Sequence, residues 1–372
     1  MKIAIVYDRI NKVGGAERIL TALHELYPDA PFYTSVFDSS QTVFAKDFAI
    51  RTSFIQHIPF AKRAHEWFAW LTPLAFELFD FHGFDAVISV TSAEAKSIIT
   101  PPHVCHICYC LTPTRYLWSG ALIYEKEGLA GKVLRLVGPI LRRWDLIAST
   151  RPDVMAAISQ TVAKRIEIYY RRTVESVIYP PADTEFFAEK QDKPKNSPFE
   201  TGSYLLSVGR LVSYKRFDSI IDACTKTGIP LLVIGQGSQE GKLRSRAGQN
   251  VRFITTPLTD DELRAYYHDC RGFVFGGVED FGIVAVEAQA AGKGILVPEG
   301  SGMAEVCREG VTGMTFGINE EKVLEDTVTR FFESTFDPEA CKRQAQRFSK
   351  KKFMKIFRAF VQSSVLSYNR RI

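Results

Sequence analysis

Arg210 follows the apolar run YLLSV (204–208) after one glycine, and Lys215 comes five residues later, near the start of a helical pattern. Two cations at a strand end are what a leaving diphosphate needs, because they offset charge that develops as a glycosidic bond breaks. Solvated surface charge would place the same two residues there, since most Lys and Arg are exposed. The segment GGVEDFGIVAVEAQAAGKGILVPEGSG, 276–302, carries more. A buried strand ends at Gly277, a short loop holds Glu279, and a helix begins near Ile283. On that helix Ile283, Val286, Glu287, Ala290 and Ala291 share one broad face, which puts Glu287 within or at the edge of an apolar stripe. No basic residue stands three or four positions away, so its charge needs a partner that the sequence does not show. A ribose diol is a good candidate, since carboxylates accept from both hydroxyls in dinucleotide folds. The amides of Gly282, Ile283 and Val284, at the helix start, suit phosphate oxygens.

Gly14 and Gly15 lie between the first strand and an amphipathic helix with Ile19, Leu20, Leu23 and Leu26 on one face. Paired glycines let backbone approach a diphosphate at a helix start; a plain tight turn uses them equally well. The G-x-G-x-x-G spacing is absent, so a nicotinamide cofactor gets no support. Cys105, Cys108 and Cys110 with His103 and His106 look like metal ligands, but HVCHICYC reads as one extended strand. Alternate side chains of a strand point to opposite faces and cannot converge on one ion, so no metal site is expected.

The elements that must position these residues alternate along the whole chain, short β-branched runs with helical patterns, as in α/β domains with parallel sheets. Strands are expected at 3–7, 32–37, 85–90, 104–109, 154–159 and 176–180, then at 204–208, 231–235, 251–254, 272–276 and 294–298. Between the two sets, 189–202 is polar, with two prolines, and reads as a linker. The expectation is two Rossmann-like doubly wound domains, 1–188 and 203–340, facing a cleft. A helical segment, 341–372, with Phe348, Phe353, Phe357 and Phe360 on one face, packs back on the first of them. At 372 residues the chain is too long for one core. The net charge of +5 is too mild to argue for nucleic acid. No apolar run of about 18 residues exists, the chain opens directly on a strand, and the seven cysteines form no framework. A cytoplasmic protein is expected.

These segments together resemble family 4 of the glycosyltransferases, retaining enzymes with the GT-B fold. KVGGAER is similar to the family's N-terminal diphosphate loop, and SVGRLVSYKRFD to its Arg/Lys segment. EDFGIVAVEAQAAGK, with Glu279 and Glu287 eight apart, resembles its E-x7-E motif. CYCLTPTRYLWS, VIYPPADTEFF and EGSGMAEVCREGVTGMTF add to the match, and resemble branches acting on bacterial polysaccharides and lipid-linked oligosaccharides. The resemblance implies that Arg210 and Lys215 bind the donor phosphates, that Glu279 contacts the transferred sugar, and that Glu287 holds the ribose. It further implies that Phe281 to Val284 follow the donor, with Gly14 and Gly15 on its diphosphate. The resemblance also implies a GDP- or UDP-linked sugar as donor, a mannose in the first instance, with no cofactor or metal.

One position departs. Where the family commonly has histidine before TPTRY, this chain has Leu111, which can neither donate to a sugar hydroxyl nor shuttle a proton. Thr112, Arg115 and Tyr116 remain on that loop, on the acceptor side. Leu111 keeps open a non-catalytic sugar-nucleotide-binding subunit, beside a UDP-sugar hexosyltransferase. Thr255 stands where the family often has glycine near the base, in the stretch Phe253 to Leu258. Two apolar, basic stretches, 60–81 and 131–145, the latter with Lys132, Arg135, Arg142 and Arg143, could meet a lipid acceptor or membrane; packing into a core would use them as readily.

Overall fold

A computed structural model describes residues 1–12, 14–62, 68, 70–121, 128–318 and 321–371; the side chains of 128–130, 133 and 321 fall outside that description. The chain divides into two compact units, 1–179 with 353–372, and 180–352.

The first unit is a seven-stranded parallel sheet in the order β3-β2-β1-β4-β5-β6-β7. Its strands are β1 (Ile3–Tyr7), β2 (Phe32–Thr34), β3 (Ile50–Thr52), β4 (Ala86–Thr91), β5 (Cys105–Cys110), β6 (Val154–Ala157) and β7 (Ser176–Val177). β4 and β5 are buried along their whole length, which explains why they read as continuous apolar runs. Helices α1 (Glu17–Leu26), α2 (Thr72–Glu77), α3 (Gly128–Ser149) and α4 (Gln160–Tyr170) connect them. α1 buries Ile19, Leu20, Leu23 and Leu26, the face its periodicity marks.

The second unit begins with α5 (Thr184–Ala188) and holds a six-stranded parallel sheet, order β10-β9-β8-β11-β12-β13. Its strands are β8 (Leu205–Val208), β9 (Leu231–Ile234), β10 (Val251–Ile254), β11 (Gly272–Val274), β12 (Ile295–Pro298) and β13 (Gly313–Phe316). Its remaining helices are α6 (Phe217–Thr227), α7 (Glu240–Arg246), α8 (Asp260–Asp269), α9 (Ile283–Ala290), α10 (Glu321–Glu333) and α11 (Pro338–Ala345). α12 (Lys350–Asn369) follows, and from Phe353 onward belongs to the first unit.

Both sheets are doubly wound, as the alternation implies. Two edge strands, β3 and β13, carry no run long enough to stand out: IRT is three residues with a charge, and GMTF is half polar. The FYTSVF run stops as a strand at Thr34, where Ser35 bonds back to Asp8. The polar stretch 189–202 has no regular structure, and the boundary between units falls before it, at Tyr179/Pro180. Its residues pack on the second unit: Ser197 and Thr201 bond Asp269, while Arg264 takes Glu189 and Gln191. Of the four C-terminal phenylalanines, Phe348 packs on Phe281, whereas Phe353 and Phe357 flank Tyr109 of β5 and Phe360 lies against Phe357.

Cys105, Cys108 and Cys110 are buried in β5, and burial pushes the Cys105 thiol up to about 12 and Cys108 to about 11. His106, completely buried on the same strand, meets Ser89 through Nε2 at 2.8 Å. Alternation puts His106, Cys108 and Cys110 on one face of the strand, where Ser89 bonds both His106 and Cys108, and Cys105 on the other.

Candidate active site

In a doubly wound sheet the strand order reverses once, and the loops beyond the strand ends diverge there to leave a crevice. In the second unit the reversal lies between β8 and β11. After β8 the chain passes Gly209 and the exposed Arg210, then makes a 3-10 turn, Ser213–Lys215, before α6. After β11 it passes Gly277 and Glu279 on the way to α9. Lys215 Nζ reaches Glu279 Oε1 at 2.9 Å, with each side chain 15% exposed. The ammonium also lies 5.5 Å above the Phe275 ring. A Cβ on Gly277 would stand 2.6 Å from the Lys215 carbonyl, so only glycine lets the β11 end pass beneath the turn.

Glu279 is fixed through its backbone. Its amide donates to Ser301 Oγ at 3.0 Å and its carbonyl accepts from Gly302 at 2.8 Å. Its Oε1 is buried and, though ion-paired, accepts no aligned hydrogen bond: the 2.9 Å contact compensates charge without supplying a directed donor. That leaves a charged oxygen with hydrogen-bonding capacity unused. Gly282, the residue before α9, has φ 90° and no side-chain cap, and a Cβ there would meet Met303 Cγ at 2.2 Å. α9 thus starts on bare backbone beside the Lys215–Glu279 pair, with Ile283 and Val284 only partly buried. First-turn amides have no partner within their own helix.

The structure therefore brings Lys215, Glu279 and the α9 start together at one strand-end edge. Arg210 belongs to the same edge, its guanidinium 3.2 Å from the Tyr214 hydroxyl. Phe281 is 2% exposed and packed on Phe348, so only its backbone can follow a ligand. Glu287 is 3% exposed, and the Tyr267 hydroxyl donates to its Oε2 at 3.0 Å. Tyr267 lies on α8, twenty residues upstream, where nothing in the local sequence pattern points to it. Thr255 is partly buried on its loop, with its carbonyl taken by Gln236 and its hydroxyl 3.4 Å from Arg244.

In the first unit the reversal lies between β1 and β4. Gly14 and Gly15 are exposed, neither has a positive φ, and no protein group crowds a Cβ at Gly15. The Gly14 amide donates to Glu17 Oε2 at 2.8 Å. Leu111 is buried, 8% exposed, and Thr112 beside it carries a buried hydroxyl without a hydrogen bond. Arg115 is partly buried, and Tyr116 donates to Glu94 Oε1. Glu94, three residues past β4, was not a candidate from sequence, and neither was Arg9, whose guanidinium stands 3.8 Å from Glu94 Oε2. The rule that ligand groups follow strand ends would have found both.

Of the two apolar, basic stretches, residues 63–67 and 69 of the first lie outside the described residues. The second forms part of α3, where Lys132, Arg135 and Arg143 are exposed with Leu136 and Ile140. No helix among the described residues is long and apolar enough to cross a membrane.

Two parallel α/β units of this topology define the GT-B class of structures. Residues 188–348 match the family described as Glycosyl transferases group 1. That match covers nearly the whole of the second unit. The chain is 26% identical over 243 residues to O-antigen chain mannosyltransferase C of Escherichia coli, covering 61% of this chain and 62% of that protein. It thus spans about three-fifths of that relative's length. Among solved structures, Anabaena HepE in complex with UDP and glucose superposes with a TM-score of 0.71 at 16% identity, covering 98% of this chain and all of that one. The apo lipopolysaccharide outer core galactosyltransferase WaaB does so at 0.66 and 15%, covering 98% and 99%.

Proposed function

We propose that this protein is a retaining glycosyltransferase that moves a hexose, mannose in the first instance, from a nucleotide diphosphate sugar to a saccharide or lipid-linked saccharide acceptor. The observation that carries the reading is the Lys215–Glu279 pair at the β8/β11 reversal, inside the domain that matches group 1 glycosyl transferases. Lys215 and Arg210 neutralise the diphosphate as it leaves, and the α9 amides add fixed dipoles to the same oxygens. That supplies charge stabilisation from protein groups alone, so the reading includes no metal or cofactor. Glu279 accepts from hydroxyls of the sugar in transit. Glu287, oriented by Tyr267, holds the ribose.

The name of the Escherichia coli relative favours a mannosyl donor, and the UDP in the Anabaena structure keeps a UDP-linked hexose in play. The exposed cationic and apolar residues of α3 suit the cytoplasmic face of an anionic membrane, where a lipid-linked acceptor resides.

The test is nucleotide release with GDP-mannose, UDP-glucose and UDP-galactose, together with the anomeric configuration of the product by NMR. One donor is expected to turn over, with retention, and Glu279→Ala to abolish turnover. The buried Leu111 favours a second reading, a non-catalytic subunit that binds sugar nucleotides. Tight donor binding with neither transfer nor slow release of free sugar would establish that alternative.

A further inference from the structure

The charge of this chain is unevenly spread. Residues 340–372 hold ten Lys and Arg and no Asp or Glu, so the other 339 residues, with 37 cations against 42 acids, are net negative by five. The whole basic excess therefore sits in these 33 residues. The last two acids before them, Asp337 and Glu339, pair locally with Arg343 and Lys342. Every later cation is without a carboxylate in its own stretch of sequence.

Helix α12 sorts these residues onto two faces. Phe353, Phe357, Val361 and Val365, four apart, are buried, and Phe353 and Phe357 flank Tyr109 of β5. The opposite face carries Lys351, Lys355, Arg358 and Leu366, with Lys352 and Ile356 beside them, all exposed. Among the described residues, none of Lys351, Lys352, Lys355 and Arg358 is paired with a carboxylate. Like charges three or four positions apart on a helix repel, so this face costs the fold stability that an anionic partner would restore.

Two features choose among polyanions. No aromatic side chain of α12 is exposed, so the bases of a nucleic acid find nothing to stack on. Ile356 and Leu366 are exposed among the cations, which is the mixture of an interfacial helix: apolar groups enter the headgroup layer while lysines meet lipid phosphates.

We infer that the outer face of α12 docks on an anionic phospholipid bilayer. It is a cationic surface distinct from that of α3, on another helix, and it does not depend on the chemistry at Lys215 and Glu279.

Co-sedimentation of the full chain with phosphatidylcholine vesicles, with and without phosphatidylglycerol, tests this. The wild type is expected to bind only the phosphatidylglycerol vesicles and to release them at high salt. Each cation at an anionic surface contributes about fivefold to affinity, so Lys351→Gln, Lys352→Gln, Lys355→Gln and Arg358→Gln combined should weaken binding about fiftyfold or more. An unchanged thermal midpoint and unchanged affinity for GDP or UDP report that this variant is folded. Lys132→Gln, Arg135→Gln and Arg143→Gln combined, on α3, should weaken vesicle binding less. Full vesicle binding by the α12 variant overturns the inference. So does a wild type that ignores both kinds of vesicle, or that binds duplex DNA in their place. None of these results touches the transferase reading, which nucleotide binding and sugar transfer test separately.

Discussion

Lys215 Nζ sits 2.9 Å from Glu279 Oε1, across the two strand ends between which the second sheet reverses its order. The turn that carries Lys215 rests on Gly277 and Phe275, and the loop that carries Glu279 is pinned by Ser301 and Gly302. Both charged groups are thus held by backbone before any ligand arrives. A site prepared in this way loses little freedom when it binds.

Gly277→Ala tests the support of that pair. The new methyl would stand 2.6 Å from Lys215 backbone atoms, which cannot rotate away as a side chain could. Overpacking of this kind costs about 1–3 kcal/mol, and here it displaces the turn that bears the cation. Urea denaturation should show that loss, and nucleotide affinity should fall with it.

Much of this was legible before the structure. Strand-end position and helical periodicity marked Lys215, Glu279 and Glu287, because a doubly wound sheet ties loop position to strand ends. The contacts that complete the site were not legible. Tyr267 and Glu287 are twenty residues apart on different helices, and Glu94 meets Arg9 only because β4 lies beside β1. Pairing across a parallel sheet depends on strand order, which local patterns do not encode. The contact at Gly14 is local instead: Glu17, one turn ahead, reaches back to cap its amide.

Lys96 and Asp145 make a buried pair in the first unit, at 2.6 Å with 1% and 6% of the side chains exposed. Burial by itself would lower the Lys96 pKa, but Asp145, Tyr170 and Cys110 together hold the ammonium well above its usual value. Lys96→Met removes the cation and leaves Asp145 buried with its four-way network broken. Losing one partner of such a pair costs about 3–5 kcal/mol. A large drop in thermal midpoint is expected, with Asp145→Asn close to it.

His106 gives the stability a pH dependence. Burial, with Arg172 and Arg151 nearby, lowers its pKa from 6.5 to about 3, so the folded protein holds it neutral while the unfolded chain protonates it. The folded pKa is depressed, so the unfolded state binds more protons below 6.5. Stability is therefore full above about pH 6.5 and lost progressively as pH falls toward 3, by up to about 1.4 kcal/mol per pH unit. Comparing urea midpoints of the wild type and His106→Gln across that window isolates this residue. The variant should show the shallower acid decline.

Isothermal titration of GDP and UDP into the wild type, Lys215→Ala and Glu279→Gln tests the central claim most directly. The expected result is binding of at least one nucleotide by the wild type and at least a tenfold weaker Kd in Lys215→Ala, with Glu279→Gln retaining nucleotide affinity while losing sugar transfer. Wild-type nucleotide affinity in Lys215→Ala would contradict the account, because the diphosphate would then lie somewhere other than the β8/β11 edge.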